Sequence, residues 1–294
     1  MKICRLTSSL AVVFMLGTCY PAMADEQSAT DAPSKTEDQV TAAEPAAKSG
    51  TVMATHVASN ADELAKKLAN PIAAMISVPF QYNYSRTYGD DGYKNLLNIQ
   101  PVVPISISKD WNLISRTIMP VIQQKNVQPD ITQFGLGDTT QSFWFSPKEP
   151  TSSGLIWGVG PAALIPTGTD DIGAKTWALG PTAIVLKQTG LWTYGMLVNQ
   201  LWDTGGRADI NSMFFQPFVA KGIGKGRTVS MNIESTYDWN THQWTVPINL
   251  SYSKVSKWGT QMVSNQFGAG WYVTSPSGGP DWQFRYMMVL LFPK

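Results

Sequence analysis

The sequence predicts an all-β fold: an antiparallel transmembrane β-barrel of about twelve strands, with an N-terminal disordered lead and a short helix before it. Three observations predict it. The closing stretch of the chain separates its side chains by parity, the connections alternate between tight and long, and the tryptophans sit near the ends of the expected strands.

Parity is clearest from Trp282 to Phe292. Trp282, Phe284, Tyr286, Met288, Leu290 and Phe292 fall on one face, with Gln283 and Arg285 on the other. Eleven residues at ~3.3 Å each, tilted about 45°, cross an apolar band of ~25 Å, whereas a helix would need ~20 apolar residues. A single strand cannot enter lipid, because its unpaired N–H and C=O groups would each cost several kcal/mol there. The rest of the chain must therefore close a barrel, and this last strand is expected to pair with the first.

Composition is compatible with that. The chain has 294 residues, 43% of them apolar, and no continuous apolar run of the length a membrane helix needs. Met1 to Ala24 reads as a secretory signal: Lys2 and Arg5 at the charged end, Leu10 to Leu16 as the apolar middle, and Ala22-Met23-Ala24 at the cleavage site. Both cysteines, Cys4 and Cys19, lie inside it, so the exported chain would carry no disulfide. A lipoprotein reading of Cys19 is weakened by Thr18 directly before it. Removing Lys2 and Arg5 takes the formal charge from +1 to −1, and no strongly basic surface points to nucleic acid.

Taken in order, residues 25–60 are rich in Ala, Ser, Thr, Glu, Asp and Pro and hold no aromatic residue, which predicts a disordered periplasmic lead. Residues 61–71 form a short helical stretch, with Leu64 and Leu68 at i, i+4, Asn60 as its cap and Pro71 after its end. It reads either as a lumen plug or as a docked turn. From residue 72 to 294 the period changes to two. About twelve segments follow: Ala74–Thr87, Lys94–Ile107, Trp111–Gln123, Phe134–Ser146, Gly154–Ile165, Lys175–Lys187, Gly190–Trp202, Ile210–Lys221, Arg227–Trp239, Gln243–Val255, Thr260–Thr274 and Trp282–Phe292. Phe134–Ser146 and Ile210–Lys221 alternate poorly, and their faces are left unassigned.

Connections after even-numbered segments are mostly tight, such as Gln188-Thr189 and Ser256 to Gly259. Those after odd-numbered segments are mostly longer and richer in Gly and Asp, such as Pro166 to Ala174 and Ser275 to Asp281. Short turns on a periplasmic rim and longer loops outside give that pattern, and they place both termini in the periplasm. All 11 tryptophans follow residue 110. Trp111, Trp144, Trp157, Trp192 and Trp258 would form one interfacial girdle, and Trp177, Trp202, Trp239, Trp244, Trp271 and Trp282 the other. Prolines at 79, 101, 104, 120, 161, 181, 217 and 247 fall inside segments, where each removes a ladder donor; bulges or bends are the expected accommodation.

Particular strings carry a family resemblance. They are Leu68-Ala69-Asn70-Pro71-Ile72-Ala73, Ile76-Ser77-Val78-Pro79-Phe80-Gln81, Leu97-Asn98-Ile99-Gln100-Pro101-Val102-Val103-Pro104, Asp110-Trp111-Asn112-Leu113-Ile114-Ser115-Arg116-Thr117-Ile118, Gly135-Leu136-Gly137-Asp138, Gly158-Val159-Gly160-Pro161 and Leu291-Phe292-Pro293. Together, over residues 64–294, they resemble Gram-negative outer-membrane proteins described as "transporter" or "neuromedin U", a family similar to the outer-membrane component of the MetA pathway of phenol degradation. The resemblance implies an outer-membrane barrel moving small solutes, aromatic or apolar ones among them. It carries over no binding residue. The closing aromatic strand also resembles the signal read by the outer-membrane assembly machinery, except that Pro293 and Lys294 follow the final aromatic.

Charges at mid-depth on a lipid face cost ~2–4 kcal/mol, so Arg116, Glu234 and Arg285 should point into the lumen, with Asp138 as a further candidate. They read as a charged constriction that selects solutes or as an interior ion-pair network that fills the barrel. Catalysis has little basis: His56 lies in the lead, and His242 in a loop without a nearby serine, which disfavours an outer-membrane lipase and predicts no enzyme. Asp90-Asp91 and Asp170-Asp171 lack the alternating ligands of a calcium loop, and no Cys or His cluster offers a zinc site, so no metal or cofactor is expected. The expected partners are outer-membrane lipid, the assembly machinery and a small solute. A barrel that binds at the surface without transport is the alternative.

Overall fold

The computed structural model describes residues 60–88, 91–127, 130–170 and 172–293. The signal stretch and the polar lead, with Cys4, Cys19 and His56, lie outside the described residues. So do Asp90 and Asp171.

Period-two patterning from residue 76 onward yields fifteen strands. The first eight are β1 (Ile76–Tyr88), β2 (Gly92–Ile99), β3 (Val102–Ser106), β4 (Trp111–Lys125), β5 (Thr132–Leu136), β6 (Thr139–Pro147), β7 (Leu155–Ile165) and β8 (Thr176–Thr189). The rest are β9 (Trp192–Gly206), β10 (Asn211–Gly224), β11 (Arg227–Ile233), β12 (Ser235–Asp238), β13 (Gln243–Trp258), β14 (Gln261–Thr274) and β15 (Trp282–Phe292). All neighbours are antiparallel, and β15 pairs back onto β1 from Ile76↔Phe292 to Arg86↔Trp282, so the sheet closes on itself. The pairs β2/β3, β5/β6 and β11/β12 each form one interrupted stave, which makes a closed barrel of 12.

Proline causes the interruptions. Pro101 separates β2 from β3. Pro120 lies opposite the break between β5 and β6, where Gly137 N donates to Pro120 O at 2.9 Å. Between β11 and β12 the register continues (Phe218↔Asn232, Phe215↔Ser235), which sets Pro217 opposite Ile233. On the other side, Ile233↔Ile248 and Thr236↔Thr245 set Pro247 opposite Glu234. A ring nitrogen has no hydrogen to give, so rungs are lost while the alignment survives. The expected bulge occurs at Val246/Pro247, where the register with β14 shifts. A one-residue shift also falls opposite Pro120, between Ile118↔Thr140 and Val121↔Leu136; at Pro101 and Pro217 the register is kept and the accommodation is a missing rung.

The two rims differ as the sequence predicts. One carries turns at residues 190–191, 225–226 and 259–260, with a longer connection at 148–154; the other carries loops such as 166–175 and 275–281. Gly190 and Gly259 adopt φ of 57° and 60°, which lets these short turns close.

At the tight-turn rim a helix, α1 (residues 60–68), enters the barrel. Its Ala61, Leu64 and Ala65 pack against Met75, Val255, Val289 and Leu291. Asp62 Oδ1 accepts from Gly226 N at 2.5 Å, and Gln188 Nε2 donates to Lys66 O at 2.9 Å. After the helix, Asn70 Oδ1 accepts from Ile72 N at 3.0 Å, and this turn drives Ile72 among Ile114, Trp144, Ile184, Leu186 and Leu197. Leu64 and Ile72 are 2% and 4% exposed, so each contributes about 1.5–3 kcal/mol of burial. Gly158 makes room for this: a Cβ there would lie 3.0 Å from Trp144 Cβ and 3.5 Å from Ile72 Cδ1.

One tryptophan is not on the outer face. Trp111, Trp192, Trp258, Trp177, Trp202 and Trp271 are exposed on the outer face, but Trp144 is 1% exposed and turned inward. Its Nε1 donates to Thr182 Oγ1 at 3.1 Å, and Ile72 covers it. The run Phe143-Trp144-Phe145 is apolar on both faces, which hid the parity. The same holds for β10, where Phe214 and Phe218 pack inward.

Candidate functional site

Inward-facing polar side chains gather at mid-barrel. Glu234 sits at the proline-flanked gap between β11 and β12, and Arg285 reaches it from β15 as a bidentate pair, Nη1–Oε1 2.8 Å and Nη2–Oε2 2.7 Å. Arg285 Nε donates to Asn83 Oδ1 on β1 at 2.7 Å. Glu234 Oε1 also accepts from Asn232 Nδ2 at 3.2 Å and from Gln216 Nε2 at 3.4 Å. With its side chain 5% exposed, Arg285 is held by fork-to-fork bonding that satisfies both charges away from bulk water.

The network extends both ways from this pair. On one side Asn249 Nδ2 donates to Asn232 Oδ1 at 2.9 Å, Gln283 Nε2 to Asn249 Oδ1 at 2.5 Å, and Tyr272 OH to Gln283 Oε1 at 3.2 Å. On the other, Gln81 links Asn83 to Gln100 through contacts of 3.4 Å, and Arg116 Nη2 donates to Gln100 Oε1 at 2.6 Å. Side chains from β4 round to β10 are thus tied into one polar layer. Gln81, Gln100, Asn232, Asn249 and Gln283 each both donate and accept, which ties the layer into a unit.

The structure brings Arg116, Glu234 and Arg285 together in one inward-facing network. Asp138 is elsewhere. It lies at the break between β5 and β6, where Oδ1 accepts from Gly168 N at 2.8 Å and Oδ2 from Ala174 N at 2.6 Å, so it staples the 166–175 loop. Its placement follows from the Pro120 break, which re-aims the stave; with alternation lost there, parity could not predict it. The neutral members Asn83, Gln100, Asn232, Asn249 and Gln283 were not singled out from the sequence. Parity marks the inward face of Asn83 and Asn232 but says nothing of cross-lumen bonding.

Between the polar layer and the N-terminal segment lies a cavity of about 240 Å³. Arg116, Glu234 and Arg285 line one side of it; Leu68, Met75 and Val289 line the other.

Of the other candidates, His242 is exposed in the turn between β12 and β13, with Nδ1 3.3 Å from Tyr237 OH. Asp170 pairs with Lys175 at 3.1 Å, both at the surface.

No family model matches the chain, and no curated protein does. Among solved structures it is similar to the COG4313 outer membrane channel from Pseudomonas putida F1, at 14% identity and a TM-score of 0.59, over 74% of this chain and 96% of that one. More distant likenesses are the KdgM porin (12% identity, TM-score 0.46, 74% of this chain and 99% of that one) and outer membrane phospholipase A from Escherichia coli (12%, 0.39, 74% and 96%). At these identities the likeness to the Pseudomonas channel establishes the fold: the chain is a β-barrel of the outer-membrane type.

Proposed function

We propose that this protein is an outer-membrane channel through which small solutes pass passively, inward or outward. The observation that carries the reading is the lumen: it holds a hydrogen-bonded polar layer beside an open chamber, where a purely structural barrel of this girth needs only packed side chains. A solute would cross the layer, enter the chamber and leave past α1. The resemblance to the phenol-degradation family and the apolar chamber wall favour aromatic or apolar solutes. Export would follow cleavage after Ala24, with α1 facing the periplasm, the exposed tryptophans at the two lipid interfaces, and the assembly machinery reading β15. Liposome swelling with sugars, amino acids and small aromatics tests the channel. Solute-dependent swelling is expected; impermeability to all three classes would leave a non-transporting surface barrel.

An outer-membrane lipase would need His242 beside a nucleophile, and its hydrogen-bond contact is the Tyr237 phenol. We infer that the protein is not an enzyme. Phospholipid hydrolysis abolished by His242→Ala would overturn that.

A further inference from the structure

We propose that the chamber between the polar layer and α1 is a binding site for one small organic anion, an aromatic or short aliphatic carboxylate. Arg116 takes its head, and its body lies on the apolar wall.

Charge is the first argument. The side chains lining the chamber include Lys67, Arg116 and Arg285 against a single carboxylate, Glu234. Glu234 is committed to Arg285, and among the described residues Arg116 forms no ion pair. Its hydrogen bond goes to a neutral acceptor, Gln100 Oε1. A guanidinium has five N–H donors in a fork that matches a carboxylate, so the one at Arg116 keeps capacity for a bidentate ligand.

Shape is the second. Besides Arg116, the chamber is lined by Leu68, Met75, Leu197, Phe218, Val255 and Val289. An inorganic anion would answer the charge and leave this wall unfilled, while a neutral aromatic would fill the wall and leave Arg116 as it is. A ligand with both parts answers both. The volume of about 240 Å³ lies below the ~300 Å³ where pockets for drug-sized ligands begin, which restricts the body to one ring or a short chain.

This inference rests on the channel reading only for the route by which a solute reaches the chamber. The test is calorimetric titration of the full exported chain in detergent with benzoate, benzyl alcohol, benzylamine and inorganic phosphate. Benzoate should bind at least about tenfold more tightly than benzyl alcohol and than phosphate, with benzylamine weakest. Arg116→Gln should bring benzoate down to the level of benzyl alcohol and leave benzyl alcohol unchanged. Equal binding of benzoate and benzyl alcohol, phosphate binding as tightly as benzoate, or a benzoate preference that survives Arg116→Gln would overturn the site. The ligand comparison on the unaltered protein decides the matter even if the variant does not fold. Planar-bilayer currents separate the two readings: current without benzoate preference overturns the site and spares the channel, and benzoate binding without current does the reverse.

Discussion

The two halves of the lumen are built from the same staves and filled in opposite ways. Along β15 the inward side chains run Gln283, Arg285, Met287, Val289, Leu291, changing from polar to apolar within a single step. On the loop side, Gln283 and Arg285 are bonded to the barrel's own side chains. On the α1 side, Val289 and Leu291 are 0% and 1% exposed because the chain's own N-terminal segment covers them. One half satisfies itself through directional bonds; the other is completed by a segment that enters from outside the sheet. The polar half should therefore be costly to break, and the apolar half should open by releasing α1.

The largest effect should come from Glu234→Ala, which leaves Arg285 buried without its carboxylate and should lower unfolding stability by about 3–5 kcal/mol in urea titration. A loss below about 1 kcal/mol would mean that water replaces the carboxylate, and the layer would then not be a fixed unit. Next is Leu64→Ala, which empties a 2% exposed site and should weaken α1 docking by about 2–5 kcal/mol, read as faster proteolysis near residues 60–75 while the barrel stays folded. Global unfolding together with α1 release would erase the contrast between the halves. Trp144→Phe removes the bond to Thr182 and should cost about 1 kcal/mol in the same titration. Smallest in stability is Arg116→Gln, with a change under about 1 kcal/mol, since it gives up a single hydrogen bond and no ion pair; its effect should appear instead as reduced anion preference in reversal potentials.

The same contrast explains how much was legible beforehand. Where a polar lumen backs an apolar outer face, parity marks the inward residues Gln283 and Arg285 on β15 and Ser77, Gln81, Asn83 and Ser85 on β1, and Arg116, Glu234 and Arg285 follow from the cost of a charge in lipid. Where the lumen is apolar, the period-two signal vanishes. Trp144 and Phe218 look like lipid-facing residues until the segment that covers them is in place. The prolines were legible as ladder breakers, but not their consequence: Pro217 and Pro247 leave Glu234 in a gap, free to meet Arg285. Asp138 was hard to place for a related reason, since it lies at the break opposite Pro120, where it binds Gly168 N and Ala174 N of the loop.

Single-channel recording in planar bilayers of the intact protein and of Leu64→Asp tests the central claim most directly, because a carboxylate at that site cannot stay docked against Val255 and Leu291. A solute path through the lumen past α1 predicts a clearly larger unitary conductance for the variant. Equal conductance from two folded barrels would contradict it.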